Sequence, residues 1–146
     1  MKTPSLESFL VFIYTGKPEL DALIAQQLEK GVTSKGLLSI VLKSGFTSDE
    51  EVIAGIANYF TRPDLIIIKL DRGGIRLKVF EAACEHSIIP LIWSRNVHFK
   101  ESCLLHGAQF VPILEGKKSL DQTTRIVTMA TFTIEKVLNM VPCVAL

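Results

Sequence analysis

The chain has 146 residues, 48% of them hydrophobic and 21% charged, which is typical of one compact domain with a sizeable core. Sixteen Lys and Arg residues against fifteen Asp and Glu residues leave a net charge of +1, which argues against a nucleic-acid partner. Three cysteines without a CxxC pair indicate no disulfide framework or zinc site, and no apolar run approaches the roughly eighteen residues of a membrane span.

The first strand and helix are clear in the sequence. Phe9–Tyr14 is apolar throughout, which is typical of a strand covered on both faces of a parallel sheet. Pro18 suits a first helical position and predicts a helix. The apolar residues of that helix recur at three- and four-residue spacing: Leu20, Leu23, Ile24 and Leu28.

The second strand is less distinct than the helix that follows it. Leu37–Leu42 is a weak strand candidate. Ser48 and Glu51 have the spacing of a capping box and predict the start of a helix there. The apolar stripe of this predicted helix is Val52, Ile53, Ile56 and Phe60.

The second half of the chain continues the alternation of strand and helix. Two further apolar runs predict strands at Leu65–Ile68 and Ile88–Trp93. Between them, Leu77, Phe80 and Cys84 mark a helix that ends near His86. The remaining predicted elements are a short helix over about 97–106, a weak strand at Phe110–Leu114 and a long helix over about Ser119–Met140.

Five repeats of strand and helix predict a three-layer α/β/α sandwich around a five-stranded parallel sheet. We expect one domain over residues 1–146, with an N-terminal tail at 1–8 and an apolar C-terminal tail at 141–146. The N-terminus lacks the features of a signal peptide, and together with the cysteine pattern this predicts a cytoplasmic protein. In such folds, ligands and chemistry lie at the carboxyl ends of the strands.

Several short phrases, all in register, carry a resemblance to one family. They are Pro18–Leu20, Glu50–Val52, Arg62–Ile67, Glu85–Ser87 followed by Ile89–Ile92, and His106–Ala108 before the fifth strand. Over roughly residues 9–136 the chain therefore resembles the receiver domains of two-component response regulators. The resemblance implies a flavodoxin-like (βα)5 fold with strand order 2-1-3-4-5.

The resemblance does not extend to the phosphorylation chemistry. A receiver accepts a phosphoryl group on an aspartate after the third strand, with magnesium held by that aspartate and an acidic pair after the first strand. Here the acidic pair aligns with Thr15 and Gly16, and the acceptor aligns with Lys69. The lysine of the fifth strand is missing, whereas Ser94 keeps the hydroxyl position of the fourth.

One carboxylate near the aligned position could still act as a phosphoryl acceptor. Asp71 lies two residues beyond Lys69 and could replace the acceptor, but the missing acidic pair would still prevent metal binding. We therefore predict no metal, no cofactor and no aspartyl phosphorylation. Lys69 could instead bind a small anion beside the helix N-terminus at Lys17–Pro18, or could simply reach solvent.

A different class of function rests on Glu81. A strand that begins at Asp64, a loop and a glutamate on the next helix also resemble nucleoside deoxyribosyltransferases and TIR-type NAD hydrolases. In those enzymes a glutamate performs N-glycosidic chemistry. The alternative is that Glu81 faces water, and the leading interpretation assigns no catalytic residue.

The last helix predicts an interaction surface. Its core-facing stripe is flanked by further apolar residues at Met129, Phe132 and Met140, and the tail at 141–146 is almost wholly apolar. Receivers commonly dimerise or dock partners through the fourth helix, fifth strand and fifth helix. We therefore expect a stand-alone pseudo-receiver that signals by contact with a protein partner or a second copy, unless the tail caps its own core.

Overall fold

The computed structural model describes residues 9–37, 40–70, 75–95, 99–105, 108–113 and 119–140. The tails at 1–8 and 141–146, and Asp71, lie outside the described residues. Strands and helices alternate in the order β1 (Phe9–Tyr14), α1 (Pro18–Ser34), β2 (Ile40–Lys43), α2 (Asp49–Ala57), β3 (Leu65–Leu70), α3 (Leu77–Glu85), β4 (Ile89–Ser94), α4 (Phe99–Leu105), β5 (Gln109–Pro112) and α5 (Ser119–Met140).

The five strands form one parallel sheet in the order β2-β1-β3-β4-β5. One apolar cluster joins the sheet to α1 and α5, and a second joins its other face to α2, α3 and α4. The predicted three-layer sandwich and the strand order implied by the resemblance are both confirmed. The central strands are apolar throughout because each of their faces packs against helices.

Edge and centre differ in the way their strands are buried. Leu65, Ile66, Ile67 and Ile68 of β3 are fully buried, whereas β2 at the sheet edge alternates between half-buried and exposed residues. Because β3 is buried over a longer run of consecutive residues, its apolar pattern predicts a strand more clearly than that of β2 does. Pairing with β4 continues through Lys69 and Leu70, so β3 is two residues longer than its apolar run.

The second helix is shorter than predicted. The Ser48 side chain accepts a hydrogen bond from the Glu51 amide, as its spacing indicated, but α2 ends at Ala57. The prediction that Phe60 belongs to the buried stripe of this helix is wrong, because Phe60 lies beyond the helix end and is 88% exposed. Arg62 stops the helix by donating from Nε to the Ile56 carbonyl and from Nη2 to the Ala57 carbonyl.

Asp64 accounts for one of the phrases that carried the family resemblance. Its carboxylate accepts a hydrogen bond from the Leu10 amide at 2.9 Å, and its own amide donates to the Leu10 carbonyl at 2.8 Å. The Asp64 carbonyl also accepts from the Ile89 amide at 3.3 Å. This residue therefore joins the starts of β1, β3 and β4, which is a structural role.

None of the helices in the described ranges is long and apolar enough to cross a membrane.

Candidate functional site

Thr15, Gly16, Lys69 and Ser94 lie where β1, β3 and β4 end, and we call this region the strand-end site. Tyr14 pairs with Ile68, so Thr15 and Lys69 are the next residues of two neighbouring strands. Leu70 pairs with Ser94 on the other side of β3. The parallel sheet therefore places Thr15, Lys69 and Ser94 together at the carboxyl ends of its strands, as the sequence predicted.

Thr15 binds a carboxylate that comes from a helix. The Thr15 amide and hydroxyl both donate to Oδ1 of Asp21, at 2.9 and 2.5 Å, and both residues are buried. Asp21 lies in the first turn of α1, and its amide donates to the Lys17 carbonyl at 3.0 Å. The residue after β1 is thus a threonine that is bonded to an acid from the next helix.

Burial sets the ionisation of Asp21. Its Oδ2 atom has no hydrogen-bond partner, and removal from water raises the pKa of the carboxyl group above the ordinary value. The two hydrogen bonds from Thr15 and the positive charge of Arg76 oppose this rise. The sequence reasoning missed Asp21, although an acid in the first turn of the helix that follows β1 was a signal that could have found it.

Arg76 brings a cation into the strand-end site. Its side chain is only 9% exposed, and its Nε donates a hydrogen bond to the backbone carbonyl of Lys69. A Cβ atom built on Gly16 would lie 2.3 Å from Nη1 of Arg76, so the guanidinium packs directly against the Gly16 backbone. A side chain at position 16, such as the receiver acid, and this guanidinium therefore exclude each other. Arg76 was also missed, because it lies seven residues beyond Lys69 in the sequence.

Lys69 lies half-buried on the face of the sheet covered by α1 and α5. Its Nζ lies 5.8 Å from the ring centroid of Trp93, its register partner on β4. This contact is a cation–π interaction. The anion-binding role of Lys69 stays a prediction.

Ser94 is fully buried, and its hydroxyl is engaged within the sheet. It donates to the Leu70 carbonyl at 2.8 Å, which ties the ends of β3 and β4 together. The residue that keeps the hydroxyl position of a receiver therefore has a structural hydrogen bond here. A role for Ser94 in sensing a phosphoryl group stays untested.

Tyr14 and Asp49 form a second acidic contact near the end of β1. The Tyr14 hydroxyl donates to Oδ1 of Asp49 at 2.5 Å, and burial together with this hydrogen bond raises the pKa of Tyr14 far above its ordinary value. The Asp49 carboxylate thus accepts a hydrogen bond from a tyrosine that stays protonated.

In the described part of the chain, no three His, Cys, Asp or Glu side chains come together in a way that could hold a metal ion.

Glu81 lies on the exposed face of α3. The adjacent Phe80 and Val79 are buried in the core, so the helix turns its glutamate outward. This geometry favours the interpretation in which Glu81 faces water, and no observation adds support to the N-glycosidic alternative.

The predicted interface residues differ from one another in exposure. Met129 is half-buried and packs against the core, whereas Phe132 is 57% exposed. The side chain of Met140 is outside the described part. Arg125, two turns before Phe132, donates from Nη1 to the Pro112 carbonyl of β5. Phe132 therefore lies on the side of α5 that borders β5.

Two leucines at the end of α4, a helix that packs on the opposite face of the sheet from α5, are also exposed. Leu104 is 60% exposed and Leu105 is 82% exposed. Because α4 and α5 both border the edge strand β5, these leucines and Phe132 flank the same edge of the sheet. We call Leu104, Leu105 and Phe132 the contact face. The leucines were missed because their short helix shows little periodicity.

Comparison with known proteins gives a match in structure and none in sequence. No family model matches the chain, and no curated protein sequence matches it significantly. The response regulator domain of Thermotoga maritima CheB superposes with a TM-score of 0.64 at 13% identity, over 92% of this chain and 99% of that chain. A de novo designed Rossmann 2x3 fold protein gives 0.59 at 14% identity, over 88% and 90%.

A third structure broadens the range of functions found on this fold. The lactose-specific IIB component domain of the phosphoenolpyruvate:carbohydrate phosphotransferase system from Streptococcus pneumoniae has a TM-score of 0.50 at 12% identity, over 92% of this chain and 99% of that chain. One neighbour is a response regulator domain, one a component of a phosphotransferase system and one a designed protein. The likeness therefore shows a receiver-like α/β fold, and function must be argued from the site.

Proposed function

We propose that this chain is a receiver-like signalling domain that acts through protein contact and accepts no phosphoryl group. The observation that carries the proposal is the chemistry of the strand-end site. Where a receiver supplies three carboxylates, this chain has Thr15, Gly16 and Lys69. Magnesium requires oxygen ligands with negative charge, and the transferring phosphoryl group requires that metal.

The buried charges of the site support the same proposal. Asp21 is the carboxylate nearest to Thr15, and one of its oxygens already accepts two hydrogen bonds from that residue. The guanidinium of Arg76 packs against Gly16 and would repel a divalent cation at short range. Both features disfavour a metal site in the position where a receiver holds one.

The signalling contact with another protein would be made by the contact face. β5 is the edge strand of the sheet in the described residues, and exposed apolar residues flank it, at Leu104 and Leu105 on one side and at Phe132 on the other. A protein partner or a second copy of the chain would bury these side chains. The proposal includes a cytoplasmic location, because Cys84 and Cys103 are free thiols, as expected of a reducing compartment.

The test of the phosphorylation claim is incubation with acetyl phosphate, and separately with beryllofluoride, each with magnesium. We expect no phosphorylated species by intact mass and no magnesium-dependent change in amide NMR shifts. An active receiver domain in the same buffers is the positive control. Stoichiometric phosphorylation that is lost in Asp71→Asn would overturn the proposal and assign Asp71 as the acceptor.

A further inference from the structure

The backbone of Arg76 is unusual for the residue that begins a helix. Arg76 is the N-cap of α3, with φ at 67° in the left-handed region, and its side chain makes no capping hydrogen bond. Serine, threonine, aspartate, asparagine and glycine are preferred at N-caps, and asparagine and glycine tolerate left-handed φ best. The chain therefore gives up a cap and accepts backbone strain at this residue.

The side chain of Arg76 makes contacts that offset these local costs. Its Nε donates to the Lys69 carbonyl at the end of β3, and its Nη1 packs on Gly16 after β1. Its charge also acts on buried Asp21, which has one oxygen without a hydrogen-bond partner. One guanidinium thus contacts the ends of two neighbouring strands and faces the acid that anchors Thr15.

We infer that Arg76 is the resident cation of the strand-end site and holds the ends of β1 and β3 in one arrangement. Gly16 belongs to the same device, because its missing side chain provides the space that the guanidinium occupies. This inference deepens the proposed function, on which it rests for the identity of the site, but it concerns the source of the positive charge rather than phosphorylation.

Replacement of Arg76 by asparagine separates this inference from a purely local role. Asparagine tolerates the left-handed backbone better than arginine does, so a residue with no further role would be improved by Arg76→Asn. If Arg76 is the resident cation, the variant loses stability instead. We expect the folding equilibrium constant from urea unfolding to fall by about tenfold or more.

Ser87 offers a matched control at the other end of α3. It is exposed and has φ at 58°, so Ser87→Asn relieves the same kind of backbone strain without touching the strand-end site. We expect Ser87→Asn to unfold at the same or a higher urea concentration than the original protein. An Arg76→Asn variant that is also as stable as the original protein, or more stable, would overturn the inference.

A second experiment tests the contact with Gly16. Gly16 and Gly45 have nearly the same φ, 88° and 86°, but a Cβ at Gly45 would have no heavy atom within 4 Å. The backbone strain of an alanine is therefore matched at the two positions, and only Gly16→Ala displaces the guanidinium. We expect Gly16→Ala to lower the folding constant more than Gly45→Ala does.

The double variant completes this experiment. Once Gly16→Ala has displaced the guanidinium, Arg76→Ala should cost much less than it does in the original protein, and it should keep its full effect beside Gly45→Ala. Strictly additive effects of Gly16→Ala and Arg76→Ala would contradict the inference. These readouts are unfolding constants, so they can fail while the phosphorylation test succeeds, and the reverse.

Discussion

At the residue scale, the carboxyl group of Asp21 has an ionisation that depends on the fold. It is fully buried at the start of α1, and burial raises its pKa above the ordinary value of 3.8. Between that ordinary value and the raised one, the folded protein holds a proton that the unfolded chain has released. The contribution of Asp21 to stability is therefore greatest at low pH and falls as the pH rises through this interval.

The pH dependence of the Asp21 contribution to stability can be tested with one substitution. Asp21→Asn removes the titration, so the free energy of unfolding of the variant should gain on that of the original protein as the pH rises from about 4 towards neutrality. Urea unfolding at a series of pH values measures this difference. A difference in the free energy of unfolding between Asp21→Asn and the original protein that stays constant with pH would refute the raised pKa of Asp21.

At the element scale, α1 and α5 run parallel on one face of the sheet and approach each other closely. A Cβ on Gly31 would lie 2.9 Å from Oγ1 of Thr131, and one turn further Lys35 pairs with Glu135 at 3.3 Å. The equal steps along both helices show that they are parallel. Gly31 is helical and has no need of an unusual backbone, so its role is this close approach.

The sign of the Gly31→Ala effect should depend on Thr131. Alanine has a better helix propensity than glycine by about 1 kcal/mol, but overpacking against a buried side chain costs about 1–3 kcal/mol. We expect Gly31→Ala to destabilise the original protein by about 1 kcal/mol and to stabilise a Thr131→Ala background by about 1 kcal/mol. Thermal and urea unfolding of the four proteins measure this reversal, and the same sign in both backgrounds would count against the contact.

At the scale of the whole molecule, the two edges of the sheet differ in what covers them. β5 pairs with β4 on one side and, among the described residues, with no strand on its outer side, and Leu104, Leu105 and Phe132 are exposed near it. Near β2, Val41 is exposed, and Lys43 lies over the rings of Phe12 and Phe46. Exposed apolar side chains beside an edge strand are typical of surfaces at which chains associate.

The homodimer form of the proposed function therefore predicts concentration-dependent self-association. Phe132→Glu should weaken it by about tenfold or more in sedimentation equilibrium, because a charge would be buried at the interface. Phe60→Glu is the matched control, since Phe60 is also an exposed phenylalanine but lies after α2, away from β5. Equal effects of the two substitutions would rule out the contact face, and a protein that stays monomeric would require a different partner chain.

Much of the fold was predictable because its signals are local. A run such as Phe9–Tyr14 specifies a strand buried on both faces, and the Ser48 hydroxyl begins a helix through an amide three residues away. The prediction for Phe60 failed because helical spacing alone does not show where a helix stops. Arg62 caps α2 through hydrogen bonds to its last two carbonyls, from five and six residues further along the chain.

The sequence by itself determined the sandwich, the order of its elements and the presence of Thr15, Gly16 and Lys69 at the ends of β1 and β3, because each follows from residue type at a position along the chain. Only the tertiary structure decided what fills the space. Arg76 comes from a helix start seven residues beyond Lys69, and Asp21 comes from the first turn of α1. Their charges meet because parallel strands bring their following loops to one edge, a proximity that no local pattern encodes.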